Sequence, residues 1–210
     1  MEAYLSAAYL APVQYYGKLL SCGTAYIEAE ENYRKQTYRN RCLIAGANGV
    51  QTLVIPIEKP VTEKCLTKDI RISEHGRWRH LHWQALVSAY GLSPFFEYYQ
   101  DDLIPFYKQK FDFLFDFNEA LRKLVCEWMD IRPDVRHTAC YEVTVPNDFR
   151  EVIRPKHPAG DPTFEPAPYY QVFRSKYGFL PNLSIVDLIF NMGPEAICVL
   201  ARSTKSECRR

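Results

Sequence analysis

The segment YRNRCLIAGANGVQTLVIPI, residues 38–57, constrains the fold more than any other part of the chain. Two runs rich in aliphatic residues flank the turn sequence GANG. A glycine that follows an asparagine supplies the positive φ that a tight turn between antiparallel strands requires. The segment therefore predicts a β-hairpin whose turn lies at Asn48-Gly49.

The residues before the hairpin are typical of alternating strands and helices. The apolar stretch from Ala3 to Tyr9 predicts a buried first strand that ends before Pro12. Residues 13–20 predict a short helix, and residues 24–29 predict a second strand. After the hairpin, residues 68–73 alternate between polar and apolar side chains, which predicts an extension of the hairpin sheet.

From Trp78 onward the apolar period changes from two residues to about 3.6, which indicates helices in the middle third. One helix is predicted to bury Trp83, Leu86, Val87 and Tyr90. A second carries a continuous apolar stripe made of Leu114, Phe117, Leu121, Leu124, Val125 and Trp128. Between these two, Ser93 is predicted to cap a third helix that begins at Pro94.

Seven of the fourteen prolines lie within residues 132–168. Because proline lacks an amide hydrogen and fixes φ, this region predicts a long irregular segment with one strand at CYEVTV, residues 140–145. A final helix follows. Ser184 is predicted to cap it, Asp187 to reach back toward the cap, and Gly193-Pro194 to end it.

These elements together predict an α/β or α+β fold. Its parts are N-terminal strands with a β-hairpin, a helical middle third, an irregular proline-rich segment and C-terminal helices. A chain of 210 residues fits one domain, predicted over residues 1–210 with a proline-rich excursion at about 146–168.

Composition excludes several classes of function. A net charge of +1 argues against a dedicated DNA-binding domain, which usually carries a strong basic excess. The seven cysteines are odd in number and form no C-x-x-C pair, so no disulfide framework and no metal site are predicted. Signal-peptide and membrane-spanning patterns are absent, which predicts a cytoplasmic protein without a membrane span. No cofactor-binding signature occurs, and no cofactor is predicted.

The decapeptide NYRKQTYRNR, residues 32–41, concentrates positive charge in this nearly neutral chain. If Tyr38 to Leu43 forms a strand, Arg39 and Arg41 point to one side, about 6.5–7 Å apart. Two guanidiniums at that spacing hold a phosphate or carboxylate, and Lys35 adds a donor. The alternative is pairing of these arginines with the glutamates just upstream, which are Glu28, Glu30 and Glu31.

A second candidate region is the turn YLAPVQYYGK, residues 9–18, which leaves the first strand and opens a helix. Such turns often carry the ligand in α/β folds, and Gln14, Tyr15 and Lys18 are candidates to line a site there. The alternative is that the tyrosines pack in the core while Lys18 is solvated. The glycine patterns of nucleotide-binding loops do not occur.

His80 and His82 lie two residues apart in the sequence RWRHLHW. On a helix they point about 200° apart, so they do not share a metal as an i, i+4 pair does. Either is a candidate general acid or base, and the alternative is a packed boundary histidine. His137 and Cys140 are a further candidate pair of base and nucleophile.

Four long stretches together resemble the WbqC-like family of bacterial proteins. They are YLAPVQYYGKLL (9–20), ENYRKQTYRNRCLIAGANGVQTLVIPI (31–57), HWQALVSAYGLSPFFEYYQDDLIPFY (82–107) and YGFLPNLSIVDLIFNMGPEA (177–196). The resemblance is least at residues 146–168. Members of this family occur in gene clusters for O-antigen and related surface polysaccharides, and a glycine-transferase role has been proposed for them.

The resemblance implies a small phosphorylated substrate such as a nucleotide sugar. It also implies an enzyme that transfers a small acyl or aminoacyl group, such as a glycyl group, to an amino-sugar nucleotide. On this basis His82 is the predicted catalytic residue, which deprotonates the attacking amine, while Tyr15 and Tyr33 stack on a base or sugar. The predicted anion- and substrate-binding residues are Gln14, Tyr15, Lys18, Tyr33, Lys35, Arg39, Asn40 and Arg41.

Two alternatives to an enzyme remain open at this point. One is a non-catalytic module that binds a nucleotide sugar or a partner enzyme, with an interface supplied by the tyrosines of FFEYYQDDLIPFY, residues 95–107. The other is recognition of single-stranded RNA through interleaved tyrosines and arginines, which requires a larger basic surface than the balanced charge indicates. The oligomeric state is not predicted.

Overall fold

The structure is a computed structural model that describes residues 2–59, 64–156 and 158–205. Its strands in chain order are β1 (Glu2–Ser6), β2 (Thr24–Glu28), β3 (Arg41–Gly46), β4 (Gly49–Val54) and β5 (Asp134–His137). Its α-helices are α1 (Val13–Ser21), α2 (Trp78–Tyr90), α3 (Phe96–Lys108), α4 (Leu114–Trp128), α5 (Arg174–Tyr177), α6 (Ile185–Met192) and α7 (Ala196–Ser203). Short 3₁₀ turns occur at Thr67–Asp69, His75–Arg77 and Gly193–Glu195.

β1, β2 and β5 form a parallel sheet with β2 at its centre. Ala3 lies beside Ala25, which in turn lies beside Val135. β1 buries Ala3 and Leu5, and β2 buries Ala25 and Ile27, so both strands contribute to the core. The two strands predicted before the hairpin are therefore confirmed, although the first ends at Ser6.

The predicted hairpin is confirmed and forms a separate antiparallel sheet of β3 and β4. Gly46 pairs with Gly49 across the turn, and Gly49 has a φ of 101°. β3 begins at Arg41 instead of Tyr38, because residues 38–40 form a turn. In that turn the Tyr38 carbonyl accepts a hydrogen bond from the Tyr9 amide at 2.9 Å.

Two other strand predictions are wrong. Residues 68–73 contain the end of a 3₁₀ turn and isolated bridges, one of which pairs Ile72 with Ile57. CYEVTV forms no strand, since residues 140–144 are all exposed and offer no apolar face for a core to cover. The strand in this region is β5, upstream of the predicted position.

The helical middle third is confirmed, with shifted boundaries. α4 buries the predicted positions Leu114, Phe117, Leu121 and Val125. α3 begins at Phe96, and Ser93 does not cap it, because the Ser93 hydroxyl donates to the Tyr90 carbonyl at the end of α2 at 2.6 Å.

The buried face of α2 differs from the predicted one. It consists of Trp78, His82, Leu86, Ala89 and Tyr90, whereas Trp83 and Val87 are half-buried. The face is therefore rotated so that a histidine occupies the core and Trp83 lies at its border. This rotation brings His82 among core aromatic rings and leaves Trp83 accessible.

The predicted capping of α6 is wrong, although the helix starts where expected. The Ser184 hydroxyl donates to the Leu10 carbonyl at 2.7 Å and makes no capping bond. Asp187 is fully buried and accepts hydrogen bonds from the Tyr90 and Tyr169 hydroxyls and the Gln171 amide, at 3.0, 2.7 and 2.8 Å. Burial raises the pKa of Asp187, and these three donors oppose that rise.

The proline-rich excursion is irregular, as its composition predicts. Residues 146–156 and 158–168 contain turns and isolated bridges but no helix or strand. Phe164 bridges to Thr204, and the Lys205 amide donates to the Thr163 carbonyl at 2.9 Å. These bonds fix the second part of the excursion to the end of α7.

Candidate functional site

Lys18 and Gln14 of α1 bind a carboxylate that belongs to the chain itself. Lys18 is only 1% exposed, and its Nζ lies 2.7 Å from Asp161 Oδ2. Lys18 also donates to Thr163, and Gln14 Nε2 donates to the same Asp161 oxygen at 2.7 Å. The alternative of a solvated Lys18 is wrong, and in this structure the two predicted anion-binding donors face Asp161.

Arg39 makes a buried ion pair with Glu31. Its Nε and Nη2 donate to the two carboxylate oxygens at 2.7 and 2.5 Å, and Nη2 also donates to the Ser6 hydroxyl at 2.8 Å. The strand starts at Arg41, so Arg39 and Arg41 do not lie on one strand face, and the strand geometry from which their spacing was predicted does not apply to Arg39. Anion binding by this pair of arginines remains a prediction.

The other two glutamates of the acidic run also have cationic partners. Glu28 accepts from Arg150 at 2.8 Å, and Glu30 accepts from Lys68 at 2.6 Å. Arg150 comes from the proline-rich excursion, which therefore supplies the counter-charge for a carboxylate at the end of β2. Three cations, Arg39, Lys68 and Arg150, thus neutralise the glutamates upstream of the hairpin. The sequence predicts only Arg39 among them as a partner.

Arg41, Asn40 and Tyr33 lie around the start of the hairpin. Arg41 is half-buried, and its Nε has no hydrogen-bond partner in the described part of the chain. Asn40 is buried, and its Nδ2 donates to the Ile55 carbonyl at 2.9 Å, which ties the two strands together. Burial raises the pKa of Tyr33, while the nearby positive charge of Arg41 opposes that rise.

Tyr15 and Lys35 lie in contrasting surroundings. Tyr15 is 3% exposed and packs edge-on against Tyr16, so its ring is part of the core and not free to stack on a ligand in this structure. Lys35 is exposed and lines a basic surface cavity. Two of the predicted substrate-binding residues, Tyr15 and Arg39, line one small cavity, whereas Lys35 lines another, and substrate binding by the set stays a prediction.

His82 is held by hydrogen bonds at both ring nitrogens. Nε2 lies 3.2 Å from the Val54 carbonyl, which only accepts, so Nε2 carries the proton. Nδ1 then accepts from the Tyr9 hydroxyl at 2.9 Å, and Tyr9 accepts from the Tyr107 hydroxyl at 2.7 Å. The result is a buried chain of hydrogen bonds from Tyr107 through Tyr9 and His82 to β4.

The environment of His82 keeps the imidazole neutral. Burial lowers its pKa to about 4, and the bond to the Val54 carbonyl only partly opposes that shift. The histidine is 5% exposed, and its lone pair is engaged by Tyr9. The contacts of His82 are therefore those of a positioning residue inside the core.

A cavity of about 350 Å³ lies between the start of α2 and the end of α3. Its aromatic wall contains Trp78, Trp83 and Tyr107, whose rings contact one another, with the Tyr107 centroid 6.4 Å from that of Trp78 and 5.9 Å from that of Trp83. The remaining lining residues are Glu74, Arg77, Arg79, His80, Ile104 and Lys108. We call this space the α2–α3 cavity.

Positive charge predominates at the mouth of the α2–α3 cavity. Arg79 Nη2 donates to Glu74 at 2.8 Å, so these two charges neutralise each other. Arg77, His80 and Lys108 are exposed and form no ion pair within the described ranges. The cavity therefore has two uncompensated cations and an accessible imidazole beside an aromatic wall.

Unsatisfied hydrogen-bond donors also occur at this cavity. Trp78 is 4% exposed, and its indole Nε1 has no hydrogen-bond partner among the described residues. Gly76 and Arg77 both have positive φ, and no side chain caps α2. A helix N-terminus without a cap leaves amide hydrogens that attract anions. The arrangement suits a ligand that combines a ring with negative charge.

The sequence contains part of the signal for this cavity. RWRHLHW combines cations with tryptophans, and Tyr107 belongs to the segment at residues 95–107 that is predicted to supply an interface. The missing information was the packing of the end of α3 against the start of α2, which only the tertiary structure gives.

His137 does not pair with Cys140. Its Nε2 lies 2.9 Å from Glu119, which also pairs with Arg122 at 2.8 Å. Cys140 is exposed and free. The interpretation of these two residues as base and nucleophile thus receives no support from their contacts.

Residues 2–59, 64–156 and 158–205 contain no group of three or more His, Cys, Asp or Glu side chains arranged to hold a metal ion. Six cysteines there are free thiols, and Cys208 lies outside the described residues. No helix in the same ranges combines the length and apolar character needed to cross a membrane.

Comparison with known proteins places these observations in a family. An uncharacterized protein of Mycobacterium tuberculosis (strain ATCC 25618 / H37Rv), Rv1507c, is 23% identical over 189 residues, which cover 78% of this chain and 81% of that protein. No solved structure matches the chain. The model of the WbqC-like protein family matches residues 7–153, which include β2, the hairpin, the α2–α3 cavity and the start of the proline-rich excursion. The chain therefore belongs to the WbqC-like protein family.

Proposed function

We propose that the protein binds a small phosphorylated ligand with a planar or sugar ring, such as a nucleotide sugar, in the α2–α3 cavity. The pathway we propose is cytoplasmic biosynthesis of a bacterial surface polysaccharide, as the family resemblance implies. The observation that carries the binding function is one cavity that combines an aromatic wall with two cations, Arg77 and Lys108, that form no ion pair with any described residue.

The dimensions of the cavity support a ligand of this class. A volume of about 350 Å³ falls within the range of roughly 300–1,000 Å³ typical of small-molecule sites. Trp83 is half-buried and is the residue of the aromatic wall on which a ring can stack, and Arg77 and Lys108 offer charge-assisted hydrogen bonds to phosphate. The uncapped start of α2 adds a favourable dipole for the same anion.

Charge removal at the cavity tests the binding proposal. In the double variant Arg77→Gln/Lys108→Gln we expect the affinity for a nucleoside-diphosphate sugar to fall about tenfold or more, because two charge-assisted contacts are lost. Titration calorimetry, with tryptophan fluorescence as a second signal from Trp78 and Trp83, measures this change for a panel of such sugars.

The matched control for this experiment removes the same charge elsewhere. Arg132 is 92% exposed and Lys205 is 58% exposed, so Arg132→Gln/Lys205→Gln should leave the affinity within about twofold. If both double variants lose the same affinity for the nucleoside-diphosphate sugar, the loss results from the change in net charge and not from the cavity. The proposal fails if no member of the panel binds the wild-type protein.

A second candidate function is transfer of an acyl or aminoacyl group to an amino-sugar nucleotide bound in the same cavity. The observation that favours it is the exposed His80 at the cavity mouth. In the proposed step the amine nitrogen of the sugar attacks the carbonyl carbon of an ester or thioester donor and forms an amide bond. The alcohol or thiol of the donor leaves, and the His80 imidazole accepts the proton that the amine loses. His82 would then hold Tyr9 and Tyr107 in place instead of touching the amine.

Substitution of His80 separates transfer from binding. For His80→Asn we expect turnover with an activated acyl donor to fall about 100-fold, within the usual range for loss of a general base, while the affinity for the amino-sugar nucleotide stays unchanged. Product formation is measured by mass spectrometry. The exposed His75→Asn variant is the control, and binding without any product in the wild type would favour the non-catalytic module.

A further inference from the structure

A second cavity lies on the surface of the protein, where the turn at residues 34–37 meets residues 151–156 of the proline-rich excursion. Its volume is about 430 Å³, and each described residue that lines it is of a polar or charged type. The lining residues are Arg34, Lys35, Gln36, Thr37, Glu151, Arg154 and Lys156. We call it the basic cavity.

The charges of the basic cavity do not balance. Four cations face one carboxylate, that of Glu151. Glu151 is shared, because one of its oxygens lies 2.9 Å from Arg34 and the other lies 3.0 Å from Arg154. Lys35 and Lys156 have no ion pair within the described part of the chain. A net excess of three positive charges is therefore concentrated at one concave surface.

Contacts across the basic cavity hold its two walls together. The ion pair between Arg34 and Glu151 joins the turn to the excursion. Lys156 Nζ also approaches Gln36 Oε1, at 3.5 Å, and the Thr37 hydroxyl donates to the Arg34 carbonyl at 2.9 Å. The positive charges of the four cations that line the basic cavity repel one another, which lowers the free energy of unfolding. A bound anion removes this repulsion.

We propose that the basic cavity binds a ligand with two adjacent phosphates, of the pyrophosphate type. Such a group carries two to three negative charges at neutral pH, which matches the uncompensated charge of the lining residues. No aromatic side chain is among the described residues that line the basic cavity, so the cavity offers no ring on which a base or sugar could stack. The proposal is independent of the function proposed for the α2–α3 cavity, since the two cavities share no lining residue.

Calorimetric titration with inorganic pyrophosphate tests this site. Lys35→Gln/Lys156→Gln removes the two cations without ion pairs and should weaken binding at least tenfold. The control variant Lys110→Gln/Arg132→Gln removes the same charge outside the cavity, at side chains that are 66% and 92% exposed. It should leave the affinity for pyrophosphate within about twofold of the wild-type value. Because all four side chains are exposed, we expect neither variant to unfold at a lower temperature than the wild type.

Each other outcome of the titration also decides the question. Comparable binding of pyrophosphate and a nucleoside diphosphate supports recognition of the diphosphate group alone. The nucleoside diphosphate can bind more tightly than pyrophosphate and still lose affinity in Lys35→Gln/Lys156→Gln. That result supports the site and shows that the diphosphate group it binds belongs to a nucleotide. Loss of pyrophosphate binding in Arg77→Gln/Lys108→Gln but not in Lys35→Gln/Lys156→Gln overturns it, as does absence of binding to the wild type. Single-stranded RNA that binds more tightly than pyrophosphate, with strong salt dependence, also overturns it.

Discussion

Asp161→Asn is expected to lower the free energy of unfolding by about 3–5 kcal/mol, because it leaves the buried ammonium of Lys18 without its carboxylate. Lys18 is 1% exposed, so water does not replace the lost partner. Urea denaturation at neutral pH measures the loss. We expect Lys18→Met/Asp161→Leu to recover most of it, since two apolar side chains leave no buried charge unpaired.

An exposed ion pair of the same region provides the control. Glu165 and Lys205 are 68% and 58% exposed, and Glu165→Gln is expected to change stability by less than about 0.5 kcal/mol. A loss of less than about 1 kcal/mol in Asp161→Asn would show that the Lys18–Asp161 pair is not desolvated in solution.

The same pair predicts a direction for acid destabilisation. Burial alone raises the pKa of Asp161, but hydrogen bonds from Lys18, Gln14 and Thr163 outweigh it and lower the pKa below its usual value. A carboxyl group with a lowered pKa in the folded state stabilises the fold above its unfolded pKa. That contribution is lost as the pH falls through the folded pKa.

Local patterns in the sequence predicted the parts of the fold that depend on neighbouring residues. Gly49 with its positive φ specified the hairpin turn, and the spacing of Leu114, Phe117, Leu121 and Val125 specified the buried face of α4. Both signals act within a few residues, so no knowledge of the tertiary structure was needed to interpret them.

The candidate site was less predictable because its charges have distant partners. Lys18 meets Asp161 from the proline-rich excursion, and Glu28 meets Arg150 from the same segment. Without knowledge of these contacts, the sequence does not distinguish a lysine such as Lys18, which pairs with a carboxylate of the same chain, from a lysine that binds a ligand. The arginine pair departs from the predicted geometry for a local reason. Strand alternation does not hold at Arg39, because this residue lies in the turn that precedes β3.

His82 illustrates the same difficulty on a helix. The apolar period of about 3.6 residues predicts a buried face that contains Trp83, yet the residue buried at this point of α2 is His82. The cost of burying an imidazole is offset by hydrogen bonds to Tyr9 and to the Val54 carbonyl, residues of other elements. The sequence alone does not predict burial of His82, because burial depends on Tyr9 and Val54, which are distant from His82 in the chain.

Between pH 7 and pH 4.5 the free energy of unfolding is expected to fall by about 2–3 kcal/mol from His82 alone. Burial lowers the pKa of His82 from the usual 6.5 to about 4 in the folded protein. Between these values the unfolded chain binds the proton and the folded chain does not, so stability decreases as the pH falls through 6.5 and levels off below 4.

The variant His82→Gln isolates this contribution. It is expected to be less stable than the wild type at pH 7, because the acceptor for the Tyr9 hydroxyl is altered, yet to show a shallower decline toward pH 4.5. His80→Gln, at an exposed position of the same helix, should keep the wild-type pH dependence. Urea denaturation at a series of pH values measures the slopes, and NMR titration gives the pKa of the His82 imidazole directly. Identical slopes in the wild type and His82→Gln, together with an imidazole pKa near 6.5, would show that His82 is accessible to water and return it to the set of candidate bases.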